Sequence, residues 1–480
     1  MSKKTDIKIN KSIVTVVCII MLTVAFYFIS RDNILPSLIF LILPIPVLIF
    51  YILITRPRIA FISVLFANYF AVGLSRYIPL PMGLSVDALL LLAWVSLIFS
   101  QFNEKVEWQK AGKDYTYFAI VWFLMTFFQL FNPEAVSREA WFYAMRAQGL
   151  YIVMTIPMVY ILFNRPKDLK FFITLCAWFT LLAVMKGLMQ KYYGVDQWER
   201  EWLNQPGNFR THILFGQLRV FSFFSDAGTY GSSMGYFGSV FIILAIHEIK
   251  KSRKFFFFAV GILSLYAMFI SGTRSAIAVP LTSLAIYTIL TKKVKIMVFM
   301  GIIVFGIFFF FKYTTIGQGN YDIRRLRSAF DDDNASLNVR LENRKLFAEY
   351  LKSRPFGGGI GSSGNWGMRF SPDTFLAQTA TDGWYIQLWA EQGIVGLTFY
   401  LIFLFYGASK STYLVFFKIR NRNYLYPAIA FTSGLFGLMV SSYSASSLGQ
   451  MPNTIIVFTS ITLISLMPEW EKSGKELNED

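Results

Sequence analysis

The sequence predicts an all-α, polytopic helical membrane protein, with about 14 transmembrane helices and one large extracytoplasmic loop. Three observations carry that expectation. Across 480 residues the chain is 55% hydrophobic and only 15% charged, a balance that would leave large apolar patches on any soluble domain of this length. Apolar runs such as 13–29, 34–54 and 294–311 approach or reach the roughly 20 residues that carry a helix across about 30 Å of hydrocarbon. These runs do not alternate as the strands of a membrane barrel would.

In chain order the spans fall at 13–29, 34–54, 59–73, 84–101, 115–131, 148–163, 169–189, 229–247, 255–271, 275–290, 295–311, 393–415, 424–442 and 454–468. Lys3, Lys4, Lys8 and Lys11 precede the first run, which is long and is followed by Ser30-Arg31-Asp32 rather than by a small-residue cleavage site. It reads as an uncleaved span. Every second loop is short and basic: Arg56 and Arg58; Lys105, Lys110 and Lys113; Arg165, Lys167 and Lys170; Lys250, Lys251, Arg253 and Lys254; Lys292, Lys293 and Lys295; Lys418, Arg420 and Arg422. The positive-inside rule places these loops and both termini in the cytoplasm. The net charge of +17 is therefore an orientation signal, and no nucleic-acid partner is expected.

Segments 132–148, 191–228 and 312–392 then face outward, and 139–146 is aromatic enough to lie along the interface. Four regions follow: a transmembrane bundle with short outer loops (1–228), transmembrane helices carrying a Ser-Gly-Thr-Arg motif (229–311), the extracytoplasmic loop (312–392), and C-terminal transmembrane helices with a cytoplasmic tail (393–480). Within the loop, 335–352 has few helix breakers and reads as an amphipathic helix with Arg340 and Arg344 on one face. Arg354-Pro355-Phe356-Gly357-Gly358-Gly359-Ile360-Gly361 ends it in a flexible turn, and a helix starting within 382–392 runs on into the next span.

Cys18 and Cys176 lie in apolar runs and read as packing residues, so neither a disulfide framework nor a metal site is expected. The sharpest motif is Ser271-Gly272-Thr273-Arg274-Ser275-Ala276, a tight reversal between two spans. Arg274 is either a phosphate clamp, since guanidinium gives bidentate hydrogen bonds, or an interfacial arginine reaching headgroups. Arg219, in Arg219-Val220-Phe221-Ser222-Phe223-Phe224-Ser225-Asp226, follows the same logic just before a span. With Arg340, these form a converging cationic pocket suited to a lipid-linked diphosphate.

Taken in order, Arg219-x-x-Ser222-x-Phe224, Ser-Gly-Thr-Arg274, a large loop with Arg340 and Pro355-Phe356-Gly357-Gly358-Gly359-Ile360-Gly361, and Gln387-Leu388-Trp389-Ala390-Glu391-Gln392-Gly393 resemble the O-antigen ligase and O-antigen polymerase family over roughly 215–410. The resemblance implies a bacterial inner-membrane glycosyltransferase. Such an enzyme moves a glycan from an undecaprenyl diphosphate carrier to an acceptor sugar without a metal or other cofactor. It also implies that Arg219, Arg274 and Arg340 bind the diphosphate.

Many ligases of that family have a histidine shortly before Gln-Leu-x-x-Glu-x-Gly, where this chain has Asp382. That aspartate is either the general base for the acceptor hydroxyl or the N-cap of the helix beginning at Gly383. His212, in an outer loop near Arg219, is an alternative base or a surface histidine, and Arg344 is a possible accessory to Arg340. His247 lies at the cytoplasmic end of a span, on the wrong side for this chemistry. Asp87 is an acid embedded in an apolar span, where such groups face a partner or a cavity. Asp331-Asp332-Asp333 reads as solvated loop acids. The rival function is a transporter that flips a lipid-linked glycan without breaking a bond, and a third is a metal-dependent transferase using Asp32.

Overall fold

A computed structural model describes residues 44–474 apart from 79, 104, 206–211, 215 and 329–334, together with Ile19, Thr23 and Ile42. The expected span 13–29 apart from Ile19 and Thr23, and with it Cys18, Asp32 and Asp331–Asp333, lies outside the described residues. The described chain is helical almost throughout. Its helices are α1 (Pro44–Thr55), α2 (Pro57–Leu74), α3 (Gly83–Asn103), α4 (Asp114–Phe128), α5 (Arg138–Met145), α6 (Tyr151–Leu162) and α7 (Pro166–Tyr192). There follow α8 (Gln197–Leu203), a short antiparallel ribbon of β1 (Ile213–Leu214) and β2 (Gln217–Leu218), α9 (Ala227–His247), α10 (Lys251–Ile270), α11 (Ala278–Thr291) and α12 (Val294–Tyr313). The remainder is α13 (Tyr321–Arg327), α14 (Ala335–Leu351), α15 (Gly364–Phe370), α16 (Phe375–Gln378), α17 (Trp384–Tyr413), α18 (Arg422–Ser441) and α19 (Asn453–Lys472).

Among the described residues 10 helices are long and apolar enough to cross a membrane, as the sequence leads one to expect. Two of them are longer than their apolar runs. The aromatic stretch 139–146 is not a separate interfacial piece, because α5 continues through a π-helical turn, Arg146–Leu150, into α6. Similarly, α17 begins at Trp384, within the polar segment, and runs into the following span. In contrast α12 is apolar around its circumference, with Phe299, Ile302 and Phe305 all exposed, the pattern of a helix whose solvent is lipid.

By Cα proximity the chain divides into a small unit, Met1–Ile62 with Leu91–Val106, and a large one, Ser63–Leu90 with Glu107–Asp480. The large unit is built around α9, which packs on α10, α11, α18 and α7. Its small residues allow this: a side chain at Gly238 would meet Leu265 of α10, and one at Gly231 would meet Ser271 and Thr273. The last helix, α19, is buried on nearly every side although it carries Thr454, Thr459, Ser460 and Thr462. Ser460 and Thr462 donate to the carbonyls of Ile456 and Phe458 one turn back, at 2.7 Å each, so those hydroxyls enter the core already satisfied.

Candidate active site

The segment leading into α9 is fixed by a buried cation. Arg76, in the connection after α2, lies between the rings of Trp202 (4.5 Å) and Phe221 (4.4 Å) and donates to the carbonyls of Ser222 and Phe224. Burial brings its pKa down to about 10, opposed chiefly by Glu199. The turn it grips is unusual, because Ser222 has a φ of 50° without being glycine. That conformation is held by Gln190 Oε1, which accepts the Ser222 N–H at 2.8 Å, and by the Ala183 carbonyl, which accepts its hydroxyl at 2.7 Å. Arg76→Ala is expected to lower the thermal stability of the detergent-solubilised protein by about 3 kcal/mol, since two carbonyls lose charge-assisted donors. Arg76→Lys should not restore it, because an ammonium lacks the planar fork. Differential scanning fluorimetry of the purified variants reads this directly.

Ahead of that turn, the Arg219 N–H donates to the His212 carbonyl at 2.8 Å, and its guanidinium donates to Thr273 Oγ1 at 3.2 Å. Thr273 Oγ1 in turn donates to the Ala227 carbonyl at 2.8 Å, tying the Ser-Gly-Thr-Arg turn to the first residue of α9. Asp226 caps α9 by accepting the Thr229 N–H at 2.9 Å. The reversal expected at Gly272 is present, with φ 59°, and the Gly272 carbonyl accepts Nε of Arg325 from α13. Arg325 also donates to Tyr321 Oη at 3.1 Å, while Arg274 reaches Ser328 Oγ at 3.4 Å. A salt bridge of 2.6 Å between Lys191 and Asp322 moors α13 to the end of α7.

Arg219, Arg274 and Arg325 therefore gather at one turn. The electrostatic consequence falls on Arg219. Burial first and the Arg325 guanidinium second, with Arg274 adding to them, lower its pKa to about 10 against the opposing pull of Asp226 and Tyr321. It remains charged at neutral pH in surroundings that disfavour the charge. Arg325 was not distinguishable in sequence from its neighbours Arg324 and Arg327. The structure separates them: Arg327 is buried and donates to the carbonyls of Phe311 (3.2 Å) and Ile316 (3.1 Å), closing the end of α12.

A second group forms on α14. Arg340 Nε stands 3.7 Å from Asp382 Oδ2, an ion pair rather than a hydrogen bond, with the two side chains 28% and 40% exposed. Arg344, one turn on, lies 4.1 Å over the Tyr443 ring and donates to its hydroxyl. Asp382 is not the N-cap of the following helix. That position is Gly383, at φ 128°, and the Trp384 N–H donates instead to the Ser442 carbonyl at 2.9 Å. The carboxylate is thereby left to face Arg340.

The segment joining α18 to α19 touches both groups. At one end Tyr443 supports Arg344. At the other, Gln450 Oε1 accepts from Ser225 Oγ (2.5 Å) and Thr229 Oγ1 (2.8 Å), beside the turn that carries Arg219. Neither Tyr443 nor Gln450 carries a sequence signal, because each acts through residues more than 90 positions away.

The glycine turn after α14 is packed rather than flexible. The N–H groups of Gly358 and Gly359 donate to the carbonyls of Ala390 (3.0 Å) and Glu391 (2.9 Å), and the Val395 N–H donates to the Pro355 carbonyl (3.2 Å). The fully buried Glu391 carboxylate accepts from Ser363 Oγ at 2.7 Å and from Gln148, and Gln392 donates to Gln148 Oε1 at 2.7 Å. The Glu-Gln-Gly segment thus fixes the loop to the first turns of α17.

The remaining candidates are structural in their contacts. His212 is 3% exposed, edge-on to Trp202 and Phe221, with Nε2 at 3.2 Å from the Ser225 carbonyl, so it is not a surface histidine. Asp87 has found a partner, Arg146 NH1, at 2.6 Å. His247 stacks on Tyr426 at the far end of α9.

Residues 258–401 match the family model described as O-antigen ligase. That stretch holds the Ser-Gly-Thr-Arg turn, α13, α14 and the start of α17. An O-antigen polymerase of Salmonella muenchen is 23% identical over 416 residues, which cover 80% of this chain and 98% of the relative. This multi-pass membrane chain is thus similar to the O-antigen ligase family over 258–401 and to an O-antigen polymerase along most of its length.

Proposed function

We propose that the protein is a membrane glycosyltransferase that polymerises or ligates lipid-linked glycans in O-antigen or related envelope polysaccharide synthesis, at the outer face of the inner membrane. The observation that carries this reading is the gathering of Arg219, Arg274 and Arg325 at one turn beside the start of a membrane-spanning helix. A cation whose surroundings disfavour its charge is stabilised by an arriving anion. An undecaprenyl diphosphate keeps its tail in the bilayer while its diphosphate meets these guanidinium groups. The bond between the sugar's anomeric carbon and the diphosphate oxygen breaks as the acceptor hydroxyl forms the new glycosidic bond. The negative charge that grows on the leaving diphosphate is what Arg274 and its neighbours stabilise. Asp382, oriented by Arg340, receives the acceptor's proton.

The positive-inside pattern of the short loops supports an outward-facing site with both termini in the cytoplasm. Purified protein given a lipid-linked repeat unit is expected to release the carrier diphosphate and form a longer glycan. Movement of the lipid-linked unit across the bilayer with no new bond would instead establish the transporter. Asp382→Ala should slow the transfer about 10²- to 10⁴-fold, the usual range for losing a general base. An unchanged rate in that variant removes Asp382 from the mechanism. Deleting the gene separates the two transferase activities, because a polymerase mutant accumulates single repeats on the carrier and a ligase mutant accumulates finished chains.

A further inference from the structure

At the opposite end of α9 from the arginine turn lies a cavity of about 250 Å³, walled by α7, α9, α10 and the first turn of α18. A helix of 21 residues separates the two places by about 30 Å. Four cationic side chains line the cavity, Lys170, Lys250, Arg253 and Arg422, against a single carboxylate, Glu248. That carboxylate lies 3.5 Å from Arg253 NH1. Behind the charges are Leu169, Ile173 and Phe257, all closed to solvent, while Ile249, also in the lining, is 80% exposed.

An orientation signal requires only that basic residues lie in loops. It does not require that three basic loops converge on a hollow with an apolar floor. The excess of three positive charges selects an anion, and guanidinium groups bind phosphate oxygens with directional hydrogen bonds. The apolar floor and the exposed Ile249 select an anion that brings hydrocarbon with it. The cavity also lies at the ends of four helices, α7, α9, α10 and α18, that are long and apolar enough to cross a membrane. His247 is already engaged, stacked on Tyr426 with ring centroids 3.5 Å apart and with Nε2 2.9 Å from Tyr287 Oη, so it forms a wall and leaves the cations to face the ligand.

We propose that this cavity binds the phosphate of an anionic phospholipid from the leaflet that faces the basic loops. The headgroup lies among Lys170, Arg253 and Arg422, and the first acyl carbons rest against Ile249 and Phe257. The site is separate from glycan transfer and does not depend on that reading.

The test is lipid binding by the full-length protein in neutral detergent, read by native mass spectrometry and by thermal unfolding. Phosphatidylglycerol is expected to give retained adducts and to raise the unfolding temperature, whereas phosphatidylcholine with the same acyl chains does neither. The double variant Lys170→Gln/Arg422→Gln should weaken phosphatidylglycerol binding about tenfold or more. Its unfolding temperature without lipid should match the parent's, which shows that it folds. Equal retention of the two lipids, or undiminished phosphatidylglycerol binding by the double variant, would overturn the proposal. So would inorganic phosphate reproducing the full stabilisation, which would make the site one for the free anion. If the double variant does not fold, Arg422→Lys, which keeps the charge but loses the fork, should still bind more weakly, and parent-like binding would count against the site.

Discussion

Arg274→Ala is expected to cut glycan transfer by about 10²- to 10³-fold while the protein still accumulates in the membrane. Of the three gathered arginines it is the one to change first, because it belongs to the Ser-Gly-Thr-Arg motif itself, and the other two hold that turn. Arg325 holds the Gly272 carbonyl, and Arg219 holds Thr273, which is tied to the start of α9. Arg274 donates to Ser328 Oγ at 3.4 Å and is only partly buried, and the abundance of the variant in the membrane reads whether the turn stands without it. Arg274→Lys keeps the charge and gives up the bidentate fork, so it should retain a small fraction of the parent rate. The measurement is extension of a purified lipid-linked repeat, with membrane abundance followed on the same samples. Parent-like extension by an abundant Arg274→Ala protein would take Arg274 out of the reaction.

Gly393→Ala is expected to abolish accumulation of folded protein, a loss of at least about 3 kcal/mol. Gly393 sits in α17 at φ 65°, ψ −168°, a region open to glycine alone. A Cβ there would come within 2.0 Å of the Pro355 carbonyl oxygen, which is backbone and cannot move aside. Opposite it Gly357, at φ 73°, has no more room, since its Cβ would lie 2.4 Å from the Gly393 nitrogen. The two glycines let the loop's turn and the break in α17 touch back to back, and Glu391 is clamped two residues away. Gly301→Ala is the control. It lies on the exposed helix α12 with nothing within 4 Å of the added carbon, so it should be neutral or slightly stabilising. Fluorescence-detected size-exclusion of both variants reads the difference, and a well-folded Gly393→Ala protein would show that the break in α17 is not required.

Much of the membrane architecture was legible in the sequence, because a span is a local property: length, hydropathy and absence of charge are all written in consecutive residues. The helix over 335–352, the reversal at Ser271-Gly272-Thr273-Arg274 and the continuity of α17 with its polar start were legible for the same reason. Arg219 and Arg274 could be paired because each precedes a span and is set among small or aromatic residues. The glycine run was misread as flexible, since glycine frequency reports conformational freedom, whereas these glycines are needed for close approach between backbones. Asp382 could not be separated from an N-cap until Gly383 was seen to take that place.

By itself the sequence determined a helical, multi-pass membrane protein with one long polar excursion and a small set of arginines, because partition between water and hydrocarbon is decided a few residues at a time. The tertiary structure decided which arginines share a turn. Arg325 joins Arg219 and Arg274, Arg327 closes a helix end, and Arg340 and Arg344 stand with Asp382 and Tyr443. Convergence of side chains from segments more than 40 residues apart depends on how helices pack, and packing is set by contacts that no local window contains.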